Sequence, residues 1–328
     1  MQIARRSFAT LLALALVSTF SVSVSQGDDA VIKIGLVGLD SSHATAFTKS
    51  LNAEPSKPGL GGVRVVAAFP GGSPDLPTSA DRVEGYTKTI ADSGVKIVGS
   101  IEELLPLVDA VIINSVDGRV HLKQAKAVIA GKKPLFIDKP LAVSVAEGQE
   151  IFADAAKAGV PCFTSSSLRY CTELAAWTKQ GGVVGCDAYS PCARQESHPD
   201  LFWYGIHGVE TLFAVMGPGC ESVSCIRTEG TDVVTGIWKD GRIGTFRGIR
   251  TGKSGFGATV FTAKAIYGGP VKVDYDLLLV QIVEFFKTGK PPVSSLESLE
   301  ILGFMEAANE SHRQGGKPVK MFSSTAAK

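Results

Sequence analysis

The sequence predicts an α/β protein: an N-terminal doubly wound parallel sheet, followed by an α+β domain with a mostly antiparallel, open sheet. Three observations predict it. Short β-branched runs alternate with helical patterns up to about residue 145, the pattern of a parallel sheet covered on both faces. Beyond that point the texture changes, and an Asp-Gly turn between alternating apolar residues marks a hairpin. The chain has 328 residues, 45% of them apolar, enough for two cores of ordinary size.

The elements follow in order. Val31–Val37 is a compact apolar strand that runs into Gly38-Leu39-Asp40-Ser41-Ser42-His43 and a helix over His43–Leu51. Val63–Phe69 is the second strand, and the Gly- and Pro-rich stretch Pro70–Pro77 reads as a loop. Val95–Val98 is a short third strand. Ser100 with Glu103 forms a capping box that opens a helix. Ala110–Ile113 is the fourth strand, the helix His121–Ala130 stops at Gly131, and Pro134–Ile137 is the fifth strand, ending at Asp138-Lys139-Pro140. In the second half, Ala146–Ala158 is helical and Val160–Ser165 extended, and Val233–Trp238 and Ile243–Phe246 flank Asp240-Gly241. Tyr275–Thr288 and Leu296–His312 close the chain as helices. The second has Ser294 as cap, Glu297 three residues on, and apolar residues at 296, 299, 302, 305 and 308. The domains therefore divide as 30–145 and 146–322, with a frayed tail at Ser323–Lys328.

Thirty-three basic and 32 acidic residues give a formal charge of +1, with no concentrated basic face to suit a nucleic acid. Residues 1–25 depart from this balance. Arg5 and Arg6 precede an apolar run over Phe8–Val24 and a small-residue exit at Ser23 and Ser25, the arrangement of an export signal. Arg5-Arg6-Ser7-Phe8 further resembles a twin-arginine signal, whose pathway carries folded proteins. Its removal takes away two arginines and no acid, turns the charge from +1 to −1, and leaves no run that would span a bilayer. The expected location is periplasmic or extracellular. Six cysteines lie between Cys162 and Cys225 without a C-x-x-C pair, so they read either as disulfide partners or as small buried hydrophobes.

The first βα turn is where a dinucleotide fingerprint, G-x-G-x-x-G, brings backbone close to a pyrophosphate at a helix N-terminus. Here Gly38 remains and Asp40 and His43 stand in place of the second and third glycines. A carboxylate in that turn would repel a phosphate, although Asp40 also reads as a helix cap. The second strand ends in Phe69-Pro70 rather than in the acid that usually holds the ribose hydroxyls. Asp40, His43, His121, His207 and Glu210 could face one cleft and offer N and O donors for a divalent metal, but nothing in their spacing is diagnostic, and a metal is an alternative that is not favoured.

Taken together, Ser115 through His121, Asp138-Lys139-Pro140-Leu141-Ala142, Gly205-Ile206-His207 with Glu210, and Glu306 through Ser311 resemble the Gfo/Idh/MocA (glucose–fructose oxidoreductase/inositol dehydrogenase) family. Asp138-Lys139-Pro140 is similar to its Glu-Lys-Pro motif, and His207 with Glu210 is similar to its Gly-x-His-x-x-Asp segment. The resemblance covers residues 31–322 and implies a Rossmann-like domain that binds NAD or NADP, facing a substrate domain across a cleft. It implies Lys139 and His207 as catalytic residues. A cationic lysine would stabilise a developing alkoxide, and a histidine is suited to the hydroxyl proton near neutrality. It also implies a cofactor site at Gly38, Asp40, Ser41, Ser42, His43, Ser115, His121 and Lys139. Substrate contacts are expected at Arg169, Tyr170, Trp203, Tyr204 and Glu210. The family often carries an Asp four residues before the histidine. Trp203 stands there in this chain, which leaves Glu210 as the candidate proton-relay partner.

The function expected is an exported oxidoreductase for a sugar, polyol or related compound, with a tightly held cofactor. Two alternatives stay open from the residues: a non-redox lyase or hydrolase with a remodelled dinucleotide site, and a carbohydrate-binding protein without turnover. An open sheet face leaves room for a homo-oligomer.

Overall fold

A computed structural model describes residues 31–322; the export segment read at 1–25 and the tail at Ser323–Lys328 lie outside the described residues. The chain runs β1 (Ile32–Val37), α1 (Ser42–Leu51), β2 (Val63–Phe69), α2 (Pro77–Asp92), β3 (Lys96–Ile97), α3 (Ile101–Leu104), β4 (Ala110–Ile113), α4 (His121–Ala130), β5 (Leu135–Asp138), α5 (Val145–Ala158) and β6 (Cys162–Ser165). There follow α6 (Thr172–Thr178), β7 (Val183–Pro191), α7 (Ile206–Met216), β8 (Cys220–Arg227), β9 (Thr231–Trp238), β10 (Ile243–Ile249), β11 (Gly257–Thr262), β12 (Ile266–Pro270), α8 (Tyr275–Thr288), α9 (Ser295–Arg313) and β13 (Val319–Lys320).

The first six strands form a parallel sheet in the order β3-β2-β1-β4-β5-β6. The chain departs from β1 to one side and later returns to β4 on the other, so the switch point lies between these two strands, where open α/β sheets hold their ligands. All four residues of β4 and of β5 are buried, which is why these strands read as continuous apolar runs. The sheet continues past residue 145, since β6 pairs with β5 through Cys162–Ser165. Helix α8, though late in the chain, also packs on this sheet. Leu278, Leu279, Ile282 and Phe285 share a core with Phe47 of α1 and with Ile34, Leu36, Phe136 and Phe163 of the strands.

The second sheet has seven strands in the order β12-β11-β7-β10-β9-β8-β13. It is mostly antiparallel; β7 and β10 alone among its neighbours run parallel. The β9–β10 hairpin forms where the Asp-Gly turn places it, with Gly241 at φ 84. Helix α7 lies directly on this sheet because Gly208 has no side chain. A Cβ there would meet the Phe246 ring at 2.2 Å and Ser190 Oγ at 2.8 Å. That close seat brings the preceding residue, His207, to the cleft between the sheets.

The 16-residue helix α2 was not read from the sequence. It buries only Ser79 and Ile90, so it lacks the apolar stripe that signals a helix, and Pro77 at its start reads equally well as loop. Ser100, Ser144 and Ser294 cap α3, α5 and α9, each accepting from the backbone N–H of the Glu three residues on, while the Glu297 side chain pairs with Arg169 rather than closing a capping box.

Candidate active site

A cavity of about 350 Å³ opens beyond the carboxyl ends of the parallel strands. Ser41, Ser42 and His43 reach it from the turn after β1, Val116 from the segment after β4, Lys139 from the end of β5, and Ser167 and Leu168 from the segment after β6. The second half of the chain supplies Tyr204, His207, Phe256, Val273 and Tyr275, and Arg82 comes from α2.

The turn after β1 is held rigidly. Gly38 sits at φ 86, and a Cβ on it would meet Ser115 Oγ at 2.2 Å and the Ser115 backbone nitrogen at 2.4 Å, so only glycine fits. Its amide and that of Leu39 donate to the carbonyls of Phe69 and Pro70. Asp40 does not face the cavity. It is fully buried, with Oδ2 accepting from Ser79 Oγ at 2.6 Å and Oδ1 accepting from the Val116 amide at 3.0 Å. The expected cofactor contact at Asp40 is therefore corrected. Its charge is satisfied behind the turn, and Ser41 rather than Asp40 caps α1, accepting from the His43 amide at 3.1 Å.

Ser115 and His121 likewise serve the scaffold. Ser115 is buried against Gly38 and donates from Oγ to Gln124 Oε1 at 3.0 Å. The His121 ring is fully buried between two carbonyl oxygens, Pro140 at 2.8 Å from Nδ1 and Ser115 at 2.9 Å from Nε2. It thereby ties the segment after β4 to the Lys139-Pro140 motif. The neighbouring Asp117 is held far below the usual carboxylate range. Burial works against this, but His198 at 3.1 Å, the Arg119 guanidinium and Ser73 outweigh it.

At the end of β5, Asp138 joins two of the residues in the cavity. Its Oδ2 receives His43 Nδ1 at 2.5 Å and its Oδ1 receives the Lys139 amide at 2.9 Å. Burial would raise the Asp138 carboxyl, but the His43 imidazole and the Lys139 charge hold it low. Burial pushes the Lys139 ammonium below its ordinary value, with Asp138 opposing the shift. Lys139 Nζ lies 5.9 Å from the centre of the Tyr204 ring, in cation–π range. His207 bonds through Nδ1 to Ser166 Oγ at 2.9 Å, and its pKa is driven well below the ordinary value by burial and then by neighbouring Lys139 and His43.

Of the five residues expected at the substrate, only Tyr204 lines the cavity. Glu210 is buried and accepts from Ser165 Oγ at 2.9 Å and from Arg169 Nε at 2.8 Å, so it is not a partner for His207. Arg169 is spanned by Glu210 and Glu297, the latter at 2.7 Å from Nη1, and is a strut between α7, α9 and the segment after β6. Tyr170 packs on the core beneath α8, where burial lifts its phenol to about 12. Trp203 packs against His198, with ring centres 4.8 Å apart. Arg82, Phe256 and Tyr275 were missed, because α2 has no apolar stripe and the other two lie outside any motif.

All six cysteines are free and buried, and no disulfide forms among the described residues. Among these residues there is also no cluster of three or more His, Cys, Asp or Glu side chains able to hold a metal ion. The donor set of the cavity fits a dinucleotide. The Ser41 and Ser42 hydroxyls, the N-terminus of α1 and the Arg82 guanidinium suit a pyrophosphate, and the one nearby carboxylate of the turn, Asp40, points away.

Residues 32–166 match the model of the GFO_IDH_MocA family, described as an oxidoreductase family with an NAD-binding Rossmann fold. The match begins with β1 and ends just past β6, the limits of the parallel sheet. This part of the chain is similar to the Gfo/Idh/MocA family. A stretch of 97 residues is 35% identical to 1,5-anhydro-D-fructose reductase of Ensifer adhaerens, spanning 29% of this chain and 28% of that enzyme. Solved structures share the fold of both sheets together, among them the following two. GenD2 from gentamicin A biosynthesis, in complex with NAD, superposes with a TM-score of 0.71 at 16% identity, covering 90% of this chain and 97% of that one. The myo-inositol dehydrogenase of Lactobacillus casei, in complex with NAD(H) and myo-inositol, superposes with a TM-score of 0.70 at 16% identity, covering 90% and 98%.

Proposed function

We propose that this protein is a nicotinamide-dependent oxidoreductase acting on a sugar, a polyol or a related compound. The observation that carries the reading is the convergence of Lys139 and His207 with Ser41, Ser42 and Arg82 on one cavity at the carboxyl end of a Gfo/Idh/MocA sheet. The relatives support the substrate class, since one is a 1,5-anhydro-D-fructose reductase and another a myo-inositol dehydrogenase.

Ser41, Ser42 and Arg82 would hold the pyrophosphate, and Lys139 would border the nicotinamide end. The bound nicotinamide supplies a hydride acceptor or donor. Lys139 would then meet the substrate oxygen, with Asp138 favouring its charged form against burial, and the ammonium would stabilise a developing alkoxide. Tyr204, Phe256 and Tyr275 wall the cavity against water and offer faces to a sugar ring. The hydroxyl proton passes to a histidine of the same cavity.

The twin-arginine-like start adds a location and a constraint. Outside the cytoplasm there is little free nicotinamide dinucleotide, so an exported enzyme of this kind would carry its cofactor with the folded protein and recycle it on a second substrate in place. Native mass spectrometry of the purified protein tests this: an NAD(H) or NADP(H) mass on the chain is expected. An empty protein whose melting temperature is unmoved by millimolar NAD⁺, NADH, NADP⁺ or NADPH overturns the reading. A turnover screen with myo-inositol, glucose and 1,5-anhydro-D-fructose then sorts the substrate.

A further inference from the structure

The cavity holds two histidines, and their hydrogen bonds assign them opposite roles. His43 Nδ1 is 2.5 Å from Asp138 Oδ2. A carboxylate accepts only, so Nδ1 carries a proton, and in the neutral ring Nε2, which has no protein partner among the described residues, presents a lone pair. His207 is the reverse. Ser166 Oγ accepts from the Leu168 amide at 3.3 Å, and His207 Nδ1 is 2.9 Å from the same hydroxyl. Nδ1 as acceptor with the N–H on Nε2 is the tautomer that gives the Ser166 proton a partner among the described residues, and it is the form assigned to His207.

We propose that the carboxylate-backed base of this site is His43, oriented by Asp138, and that His207 serves as an N–H donor to the substrate oxygen. A histidine with a carboxylate behind it is the arrangement that keeps an imidazole in one tautomer and stabilises the imidazolium once the proton arrives. His207 has no such partner, because Trp203 stands four residues before it and Glu210 is committed to Ser165 and Arg169. His43 has one, and it stands where the fingerprint would place its third glycine. The pair is thus carried by the turn after β1 and the end of β5. Burial and the Lys139 charge also depress the basicity of His207, which fits a donor better than a base.

On this assignment the substrate O–H bond breaks and its proton goes to His43 Nε2, while the hydride of the same carbon, with its electron pair, goes to an oxidised nicotinamide. Asp138 is a positioning residue. The groups that face His43 are Asp138 from β5, Tyr275 from α8 with ring centres 4.6 Å apart, and Lys139, His207, Tyr204 and Arg82 around the cavity. The tautomers rest on the hydrogen bonds alone, whereas the proton-transfer role rests on the redox reading.

The test is ¹⁵N NMR of the full chain labelled at its five histidines, with His43→Gln and His207→Gln to assign signals, followed by turnover of the same variants. His43 is expected as the Nδ1–H tautomer and His207 as the Nε2–H tautomer, with Asp138→Asn releasing His43 from its single form. Turnover should fall about 10²-fold or more in His43→Gln, with NAD⁺ binding retained, and by less in His207→Gln. An Nε2–H tautomer for His43 overturns the proposal whether or not the protein turns over any sugar. So does a His43→Gln variant within about 3-fold of wild type beside a His207→Gln variant that loses about 10²-fold. Failure of nicotinamide binding overturns the redox reading alone and leaves the tautomers to decide the donor and acceptor assignment.

Discussion

The Asp40 carboxylate lies 2.6 Å from the Ser79 hydroxyl and is wholly buried, so α2 is pinned to the turn after β1 by the residue that replaces a fingerprint glycine. Ser79 Oγ in turn accepts from the Ser73 amide at 2.7 Å, which fixes the segment after β2 as well. A side chain that looked hostile to a phosphate is in fact what brings Arg82 of α2 to the rim of the cavity.

Replacing Asp40 by Ala leaves the Val116 amide and the Ser79 hydroxyl without their partner. A loss of about 1–3 kcal/mol is expected in chemical denaturation. NAD⁺ affinity should not rise in Asp40→Asn, because the charge does not face the ligand; tighter binding measured by calorimetry would place that charge in the site after all.

Arg169 is an ion-pair strut rather than a substrate contact. Arg169→Met strands the buried Glu210 and the half-buried Glu297, and should cost about 3–5 kcal/mol. Denaturation curves check this. A variant of unchanged stability that instead shows a raised KM would return Arg169 to the substrate.

Acid should destabilise the fold through His207. Its folded pKa lies well below the ordinary value of 6.5, so below that pH the unfolded chain takes up a proton that the folded chain refuses. Stability is therefore complete above about pH 6.5 and falls as the pH drops beneath it, by at most about 1.4 kcal/mol per pH unit for one group. The His207→Gln variant should show a smaller loss between pH 7 and pH 5 than the wild type in urea titrations. Parallel curves for the two proteins would contradict the buried neutral imidazole.

The thiols should be silent in the native state. Burial lifts Cys162, Cys171, Cys186, Cys192 and Cys220 to about 12 and Cys225 to about 11, so little thiolate exists at pH 8. Alkylation of the native protein at that pH should be slow, all six should react after unfolding, and a reductant should leave the melting temperature where it was. A mass deficit of two protons per pair in the unreduced protein would reveal a disulfide instead.

Much of the architecture was legible because it follows from periodicity. The buried runs of β1, β4 and β5, the Asp240-Gly241 hairpin and the serine caps each encode their own geometry within a few residues. Helix α2 escaped because it is mostly exposed, and the place of β6 and α8 on the first sheet escaped because nothing local says which sheet a strand or helix joins. The candidate site was legible to the extent that its residues leave strand ends in recognisable motifs. Lys139, His207, Ser41, Ser42, His43 and Tyr204 do line one cavity. Asp40, Ser115, His121, Arg169, Tyr170, Trp203 and Glu210 do not, since their polar atoms or rings are taken up by neighbours from distant segments.

By itself the sequence determined the alternation of strands and helices, the motif around Lys139 and the loss of two fingerprint glycines, all properties of short stretches of chain. Only the tertiary structure decided what the substituted residues do. It turned Asp40 inward onto Ser79 and set His43 against Asp138, 95 residues away. Which way a buried polar group faces depends on which partner the fold brings within hydrogen-bonding distance. That partner is absent from the local sequence.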